Sequence, residues 1–186
     1  PVVLQARLDE FMAGGYRALL HLRDEGVIKA FGAGLNEAEP CDWLLERGDF
    51  DLFLLAGRYT LLEQGAQGFM DRAAARGVGV VIGGPYNSGI LASGPRPGAH
   101  YNYAPAPPAI LARAERLQAV CAAHGVRLVD AAFQFPLRHP ATVSVIPGGQ
   151  GLAEMASNLA AARAVIPRAL WQALQADGLI PAQAPG

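Results

Sequence analysis

The sequence lacks most of the features that mark a specialised class of protein. Only two cysteines occur among 186 residues, Cys41 and Cys121, and their separation fits no metal-ligand pattern and no dense disulfide framework. We therefore expect both to be reduced and buried, as in a cytoplasmic protein. An excess of positive charge is also absent, because the net charge is −1. The basic surface typical of nucleic-acid binding is thus excluded.

Long apolar runs are missing as well. No segment approaches the roughly 18 consecutive apolar residues of a membrane span, and the first residues lack the charged-then-apolar order of a signal peptide. We expect neither a membrane span nor a membrane partner. The chain is 52% hydrophobic and 17% charged, and its glycines and prolines fall mostly between periodic segments. This composition builds a sizeable core, and the length indicates one domain or part of one.

Short apolar segments alternate with amphipathic ones, which is typical of a parallel α/β fold. The predicted strands are 27–34, 51–57, 78–84 and 142–147. The predicted helices are 14–25, 38–47, 62–76, 108–124, 127–139, 151–163 and 167–178. Residues 84–107, rich in Pro, Gly, Tyr and Asn, are predicted to form a long functional loop or lid. The pattern leaves two architectures open, an open doubly wound sheet and a (β/α) barrel.

A glycine turn after the last predicted strand, in VIPGGQGLAEMASN (145–158), has the features of an anion site. Gly148 and Gly149 open a predicted helix, where free N–H groups and the helix dipole favour a phosphate. Glu154 follows in the first turn. A carboxylate there would repel an added phosphate but accept hydrogen bonds from ribose hydroxyls. The alternative is that Glu154 is a solvated acid that the helix dipole favours in any case.

Five segments in a fixed order resemble the aldo/keto reductase family, with the bacterial aldose dehydrogenases of the L-fucose or D-threo-aldose type as the nearest branch. They are EGVIKAFGAGLNE (25–37), LAGRYTLLEQ (55–64), GGPYNSGIL (83–91), LVDAAFQFPLRHP (128–140) and SVIPGGQGLAEMASN (144–158). The resemblance covers nearly the whole chain. It implies a TIM (β/α)8 barrel that binds a nicotinamide cofactor at the C-terminal ends of its strands.

The matched segments resemble the last strands of such a barrel. A complete barrel has typically about 250 residues, so we expect residues 1–186 to form the C-terminal half of a single barrel domain, with the N-terminal half apparently absent. The resemblance places the family's catalytic Tyr, Lys, Asp and His on the earlier strands, so we assign no catalytic residue here and expect this chain alone to be inactive. Tyr59 is interpreted as a packed wall residue and His139 as a capping or surface residue.

The resemblance implies cofactor-binding roles for eight residues, from the nicotinamide end to the adenosine end: Gly34 and Asn36, then Ser88 and Gly89, then Gly148, Gly149, Glu154 and Asn158. Glu154 occupies a position where NADP-preferring members carry a cation, which favours NAD. Three alternatives stay open: Asn36 caps the helix at 38–47, residues 84–91 form an ordinary turn, and Asn158 is a surface residue. The family's aromatic residue that stacks under the nicotinamide would fall near Gly83 and is absent here. Tyr86 and Tyr59 are the candidates for that role.

The sequence therefore predicts an oxidoreductase that passes hydride between NAD and an aldose or another small carbonyl or alcohol substrate. Residues 92–107, with His100, Tyr101 and Tyr103, would form a lid over the cofactor or the sugar. A second hypothesis is a non-catalytic half-barrel that binds a nucleotide or phosphate and self-associates to hide its sheet edges. A third is a phosphate-binding isomerase or lyase, for which the sequence offers no convincing acid/base pair.

Overall fold

The structure, a computed structural model, describes residues 2–182. Within that range the helices are α1 (Val2–Ala13), α2 (Gly15–Asp24), α3 (Ala38–Arg47), α4 (Gln67–Ala75), α5 (Ile90–Ser93), α6 (Pro108–Ala123), α7 (Leu128–Leu137), α8 (Leu152–Ala162) and α9 (Arg168–Ala176). The strands are β1 (Gly32–Leu35), β2 (Leu52–Ala56), β3 (Gly79–Gly83), β4 (His100–Tyr101), β5 (Ala104–Pro105) and β6 (Thr142–Ile146). None of the described helices is long and apolar enough to cross a membrane.

Four strands form one parallel sheet in the order β1-β2-β3-β6. Helices cover one face of it: Phe53 and Leu55 on β2, and Val80 and Ile82 on β3, are fully buried beneath them. Leu54, which points to the opposite face, is exposed. A sheet with helices on one face is a partial α/β barrel, whereas a doubly wound sheet carries helices on both faces. The predicted half-barrel of four parallel strands is confirmed.

The two outer strands are more exposed than the sequence predicts. β1 alternates between exposed and half-buried residues, and on β6 Val143 is 63% exposed and Ile146 is 51% exposed. A parallel α/β pattern predicts strands that are buried on both faces, and for these two strands that expectation was wrong. Each has a hydrogen-bonded neighbour on one side only within residues 2–182, and their inner face lies open.

The first predicted strand, 27–34, begins too early. Gly26 has a φ of 73°, and Val27 N–H bonds to the carbonyl of Leu22, at 2.9 Å, while Gly26 N–H bonds to that of Arg23. This is a Schellman motif, which uses the residues after α2 to satisfy the last carbonyls of the helix. Residues 27–31 therefore finish the helix and lead to the sheet, and pairing begins at Gly32.

The helix predicted at 62–76 begins five residues late, at Gln67. Thr60 causes the delay, because its Oγ1 accepts the N–H groups of Leu62 and Glu63 and holds that segment in a turn. The predicted apolar stripe is nevertheless buried throughout: Leu62, Ala66, Phe69, Met70 and Ala73.

The other helices lie within two residues of their predicted ends, and 38–47 matches at both. Leu44 and Leu45 are buried as expected, and Pro107 and Pro108 start α6. The sequence pattern did not predict α1, whose Phe11 packs against Phe50. Residues 84–107 are not structureless, since they contain α5 and an antiparallel hairpin of β4 and β5.

Candidate functional site

A groove crosses the C-terminal edge of the parallel sheet, where the loops after β1, β2, β3 and β6 meet. It consists of a cavity of about 250 Å³ beside β1 and β2 and a cavity of about 730 Å³ between the β3 loop and the β6 turn. Gly84, Asn87, Ser88 and Tyr103 line both cavities. The two cavities are therefore adjacent and lie at the strand edge where barrel enzymes carry their active sites.

The structure brings seven of the eight predicted cofactor residues to this groove. Asn36 lines the smaller cavity and Ser88 lines both. The larger cavity is also lined by Gly89, Gly148, Gly149, Glu154 and Asn158. Gly34 lies on the open face of β1, two residues before Asn36, and lines neither cavity.

The loop after β3 has a left-handed backbone at three consecutive positions. The φ angles are 47° at Asn87, 58° at Ser88 and 92° at Gly89. Residues other than glycine seldom adopt this conformation, and such residues cluster at binding sites. Ser88 Oγ accepts the N–H of Tyr103 at 3.1 Å, so the serine hydroxyl hydrogen is available to a ligand.

Asn87 fixes this loop to the end of β2. Its Nδ2 donates to the carbonyl of Gly57 at 3.1 Å, and its Oδ1 accepts the hydroxyl of Thr60 at 2.6 Å. Both Asn87 and Thr60 are buried. A buried side chain that uses both its donor and its acceptor in this way holds two loops in one relative position.

Glu63 is the centre of a polar cluster that joins three loops and includes Arg58, Asn87 and Tyr101. Glu63 Oε1 accepts from the Tyr101 hydroxyl, from Asn87 Nδ2 at 3.3 Å and from Arg58 at 3.5 Å. Burial and the Glu63 carboxylate raise the pKa of Tyr101 to about 12. Sequence reasoning gave Glu63 and Arg58 no role, although their place in GRYTLLEQ, directly after a strand, indicated this edge.

Asn158 links the β6 turn to the β3 loop. Its Nδ2 donates to the carbonyl of Gly148 at 2.9 Å, and its Oδ1 accepts the hydroxyl of Tyr86 at 2.9 Å. Asn158 is only 7% exposed, so the alternative of a surface residue was wrong. Burial raises the pKa of Tyr86 to about 12, which keeps its hydroxyl protonated as a donor.

The helix after the glycine turn begins one residue later than the sequence predicts. α8 starts at Leu152 with Gly151 as its N-cap, so Gly148 and Gly149 do not open the helix. Glu154, in the first turn of α8, connects the helix to the glycine turn, because its Oε2 accepts the N–H of Gln150 at 2.7 Å. A carboxylate has further acceptor capacity, so this bond leaves Glu154 able to bind a ligand hydroxyl.

A side chain at position 149 would crowd two side chains of α8. A Cβ atom there would lie 2.9 Å from Met155 Sδ and 3.3 Å from Asn158 Nδ2. The turn therefore lies close against α8.

Asn36 does not cap the following helix, so that alternative was wrong. The N-cap of α3 is Glu37, whose side chain makes no capping hydrogen bond. Asn36 is exposed and borders the smaller cavity. Its amide is thus placed to contact a ligand there.

One of the two tyrosines suggested for stacking under a nicotinamide, Tyr59, has no free ring. Tyr59 is fully buried, and its hydroxyl donates to Gln67 Oε1 at 3.1 Å. Burial also raises its pKa, which is the opposite of an activated acid/base tyrosine. The interpretation of Tyr59 as a packed residue is confirmed, and the stacking role suggested for it was wrong because the core encloses its ring. Tyr86 is 7% exposed and lines the larger cavity, so the role suggested for it stays a prediction.

His139 is buried and not at the surface. Its Nδ1 lies 3.2 Å from the N–H of Ala141, so it acts as the acceptor, and Nε2 then donates to Asp71 Oδ1 at 3.0 Å. His139 therefore caps the turn before β6, as expected, and lies away from the groove.

The remaining candidates for chemistry are also enclosed. Cys41 and Cys121 are free and buried, as predicted, and burial raises the pKa of the first to about 12 and of the second to about 11. Neither thiol is a nucleophile at neutral pH. Among residues 2–182 no group of His, Cys, Asp and Glu has the arrangement of a metal site.

The fold is a partial α/β barrel with a groove at the C-terminal edge of its strands, and comparison with known proteins agrees with this fold class. The model of the aldo/keto reductase family matches residues 6–176, and the chain therefore belongs to that family.

Two curated relatives are similar over most of this chain. The pyridoxal 4-dehydrogenase of Microbacterium luteolum is 44% identical over 90% of the chain, and the D-threo-aldose 1-dehydrogenase of a Pseudomonas species is 38% identical over 94%. The matches cover 49% and 54% of those proteins. The chain thus spans about half the length of the curated relatives it matches.

Solved structures agree on the fold. The holo form of an aldo-keto reductase from Bacillus halodurans matches 94% of this chain and 59% of its own, with a TM-score of 0.71 and 21% identity. A thermostable aldo-keto reductase in complex with the inhibitor epalrestat matches 89% of this chain and 53% of its own, with a TM-score of 0.61. The predicted family and the partial barrel are confirmed.

Proposed function

We propose that this chain forms the cofactor-binding part of an oxidoreductase that transfers hydride between NAD and a small carbonyl or alcohol substrate. The observation that carries the proposal is the groove of two adjacent cavities, which gathers seven of the eight predicted cofactor residues at one edge of the sheet. These residues come from three loops that are far apart in the sequence. Two adjacent cavities of about 250 and 730 Å³ suit a dinucleotide better than a single phosphate.

Each part of the groove suits one part of the cofactor. The amide of Asn36 would bond the nicotinamide carboxamide, and Gly34 would leave room beside it. The Ser88 hydroxyl and the backbone around Gly89 would bind the diphosphate, because left-handed turns present N–H groups to anions. The adenosine would lie along the β6 turn, near Gly149 and Asn158.

The bound nicotinamide would supply the hydride chemistry, and the residues of this chain would bind and orient the cofactor. We assign no catalytic acid or base here, since Tyr59 and His139 are buried away from the groove. The proposal is that residues 1–186 are the C-terminal half of a barrel domain whose other half carries the proton transfer. This chain alone would then be inactive.

The preference for NAD rests on Glu154. Its carboxylate would accept hydrogen bonds from free ribose hydroxyls and would repel the 2′-phosphate of NADP. No charged group of opposite sign neighbours it in the residues that line the larger cavity.

For the substrate we propose an aldose or another small carbonyl compound. The names of the two curated relatives, a pyridoxal 4-dehydrogenase and a D-threo-aldose 1-dehydrogenase, support this class. Pyridoxal and aldoses are both aldehydes that bear hydroxyl groups. The cytoplasmic location indicated by the free cysteines stays a prediction.

The test uses the protein expressed from its native reading frame. We expect an intact mass well above 19.5 kDa, binding of NADH in a fluorescence titration, weaker binding of NADPH, and NAD-dependent oxidation of aldoses. A protein that binds neither dinucleotide would overturn the proposal. One that binds NADPH more tightly would overturn the choice of NAD only.

A non-catalytic half-barrel that binds a nucleotide or phosphate remains the alternative. The open inner face of the sheet and its two exposed outer strands favour it, because such edges pair with another copy. It predicts an intact mass near 19.5 kDa, a discrete dimer, and no oxidation of any aldose.

A further inference from the structure

A tight hairpin places a tyrosine in a backbone conformation that suits glycine. β4 and β5 are joined by Asn102 and Tyr103, whose φ angles are 49° and 63°. A two-residue turn with positive φ at both positions is a type I′ turn, and its preferred sequence is Asn-Gly. Asn102 fits this preference, but a bulky residue at the second position is strained.

The hairpin is held over the groove by three side-chain bonds. The Tyr101 hydroxyl donates to Glu63, Arg58 donates to Asn102 Oδ1 at 3.2 Å, and the Tyr103 N–H donates to Ser88 Oγ at 3.1 Å. The Tyr103 backbone is therefore anchored to the loop after β3. These contacts hold the hairpin tip in place despite the strained φ of Tyr103.

The Tyr103 side chain borders both cavities and is 96% exposed. Its ring adds nothing to the core, so packing does not explain a tyrosine at this position. The other tyrosine that lines the groove, Tyr86, is buried and bonded to Asn158. Among the residues that line the two cavities, Tyr103 is therefore the aromatic residue whose ring is open to a ligand.

We infer that the Tyr103 ring stacks on the nicotinamide of the bound dinucleotide and closes the groove over it. This inference rests on the proposed function. The nicotinamide is favoured over the adenine because the neighbouring hairpin residue Asn102 and its partner Arg58 line only the smaller cavity, which Asn36 also borders. An exposed aromatic ring binds the face of a planar heterocycle, and each such stack contributes about 1–3 kcal/mol.

The test compares Tyr103→Gly with Tyr103→Phe in the protein from its native reading frame. Tyr103→Gly creates the preferred Asn-Gly turn, so we expect an unchanged or higher unfolding temperature together with roughly 5- to 100-fold weaker NADH binding. Tyr103→Phe keeps the ring and is expected to bind NADH within about twofold of the original. Tyr103→Asn, which tolerates the left-handed backbone, provides a second variant without the ring.

ADP-ribose, which lacks the nicotinamide, tells the two ends of the cofactor apart. We expect Tyr103→Gly and Tyr103→Asn to leave its affinity unchanged. The inference is wrong if both variants bind NADH normally, if ADP-ribose binding falls as far as NADH binding, or if only the KM of the carbonyl substrate rises. Failure of the unaltered protein to bind any dinucleotide would instead overturn the proposed function.

Discussion

At the scale of single residues, Glu154 combines a structural bond with a proposed choice of cofactor. Its carboxylate holds the N–H of Gln150 and borders the larger cavity. Its negative charge is needed for the second role only, because a neutral amide oxygen accepts the same N–H bond. The two roles are therefore separable by a single substitution.

We expect Glu154→Gln to keep the turn and to weaken the discrimination against NADPH. The Gln side chain removes the repulsion of the 2′-phosphate, so the preference for NADH over NADPH falls, and because position 154 is exposed the expected fall is only about three- to tenfold. Titration of both cofactors at low and high salt measures it, and the difference shrinks at high salt. Glu115→Gln, on the exposed side of α6, is the control. An unchanged ratio would remove Glu154 from cofactor selection.

The sequence allowed some site residues to be predicted and not others. Gly148, Gly149 and Glu154 lie in one strand–turn–helix pattern, which local spacing reveals. The bond between Tyr86 and Asn158 spans 72 residues, and no local pattern encodes it. For the same reason Glu63 was missed, since its meaning comes from donors on three different loops.

At the scale of elements, α2 is attached to the sheet by a cluster of ion pairs around Arg23. Arg23 donates to Asp51 Oδ2 at 2.9 Å and to Asp49 Oδ2 at 2.7 Å, and Asp51 also accepts the N–H of Phe31 at 2.9 Å. The Arg23 guanidinium lies 4.9 Å from the centre of the Phe31 ring. Asp51 thus connects the helix to the starts of both β1 and β2.

We expect Asp51→Asn to lower stability at pH 7 and to lower it by a smaller amount at pH 3. Partial burial acts to raise the pKa of Asp51, but the Phe31 N–H and Arg23 outweigh it, so the pKa lies below its usual value. The stabilisation is present above the unfolded pKa of about 3.9 and is lost as the pH falls through the lower folded pKa. Urea midpoints at the two pH values measure it. Asp24→Asn, exposed on the same helix, is the control, and a pH-independent difference would contradict this account.

Element boundaries were predicted well where the pattern acts alone and poorly where a cap or a side chain intervenes. Helix α3 matched at both ends. The strand at 27–34 failed because the Schellman motif at Gly26 takes up apolar residues that periodicity assigns to a strand. α4 began late because Thr60 competes for backbone N–H groups.

At the scale of the whole molecule, the chain exposes an apolar surface that ordinary proteins cover. Val143 and Ile146 on β6 and Leu54 on β2 lie on the open face of the sheet. Leu152, Met155 and Leu159 are also exposed, at helical spacing along α8. Exposed groups of large apolar side chains such as these mark interaction surfaces.

We expect residues 1–186 produced by themselves to bind a hydrophobic dye and to elute above 19.5 kDa in size exclusion with light scattering. The double substitution Val143→Thr and Ile146→Thr keeps β-branched side chains but adds hydroxyls, and should reduce both signals. A dye-negative monomer of 19.5 kDa would show that the surface is tolerated in water.

The strand order has a consequence for how the chain folds. Each strand of the sheet lies beside the strand that precedes it in that sheet, and the longest intervening stretch, between β3 and β6, contains its own helices. Every pairing in the sheet is parallel and non-local, from Gly32 with Leu52 to Val80 with Thr142, and such pairings form slowly because a long loop must close first. On a ribosome, β1 and β2 can pair before β6 has been synthesised, so the groove, which needs the β6 turn, is completed last.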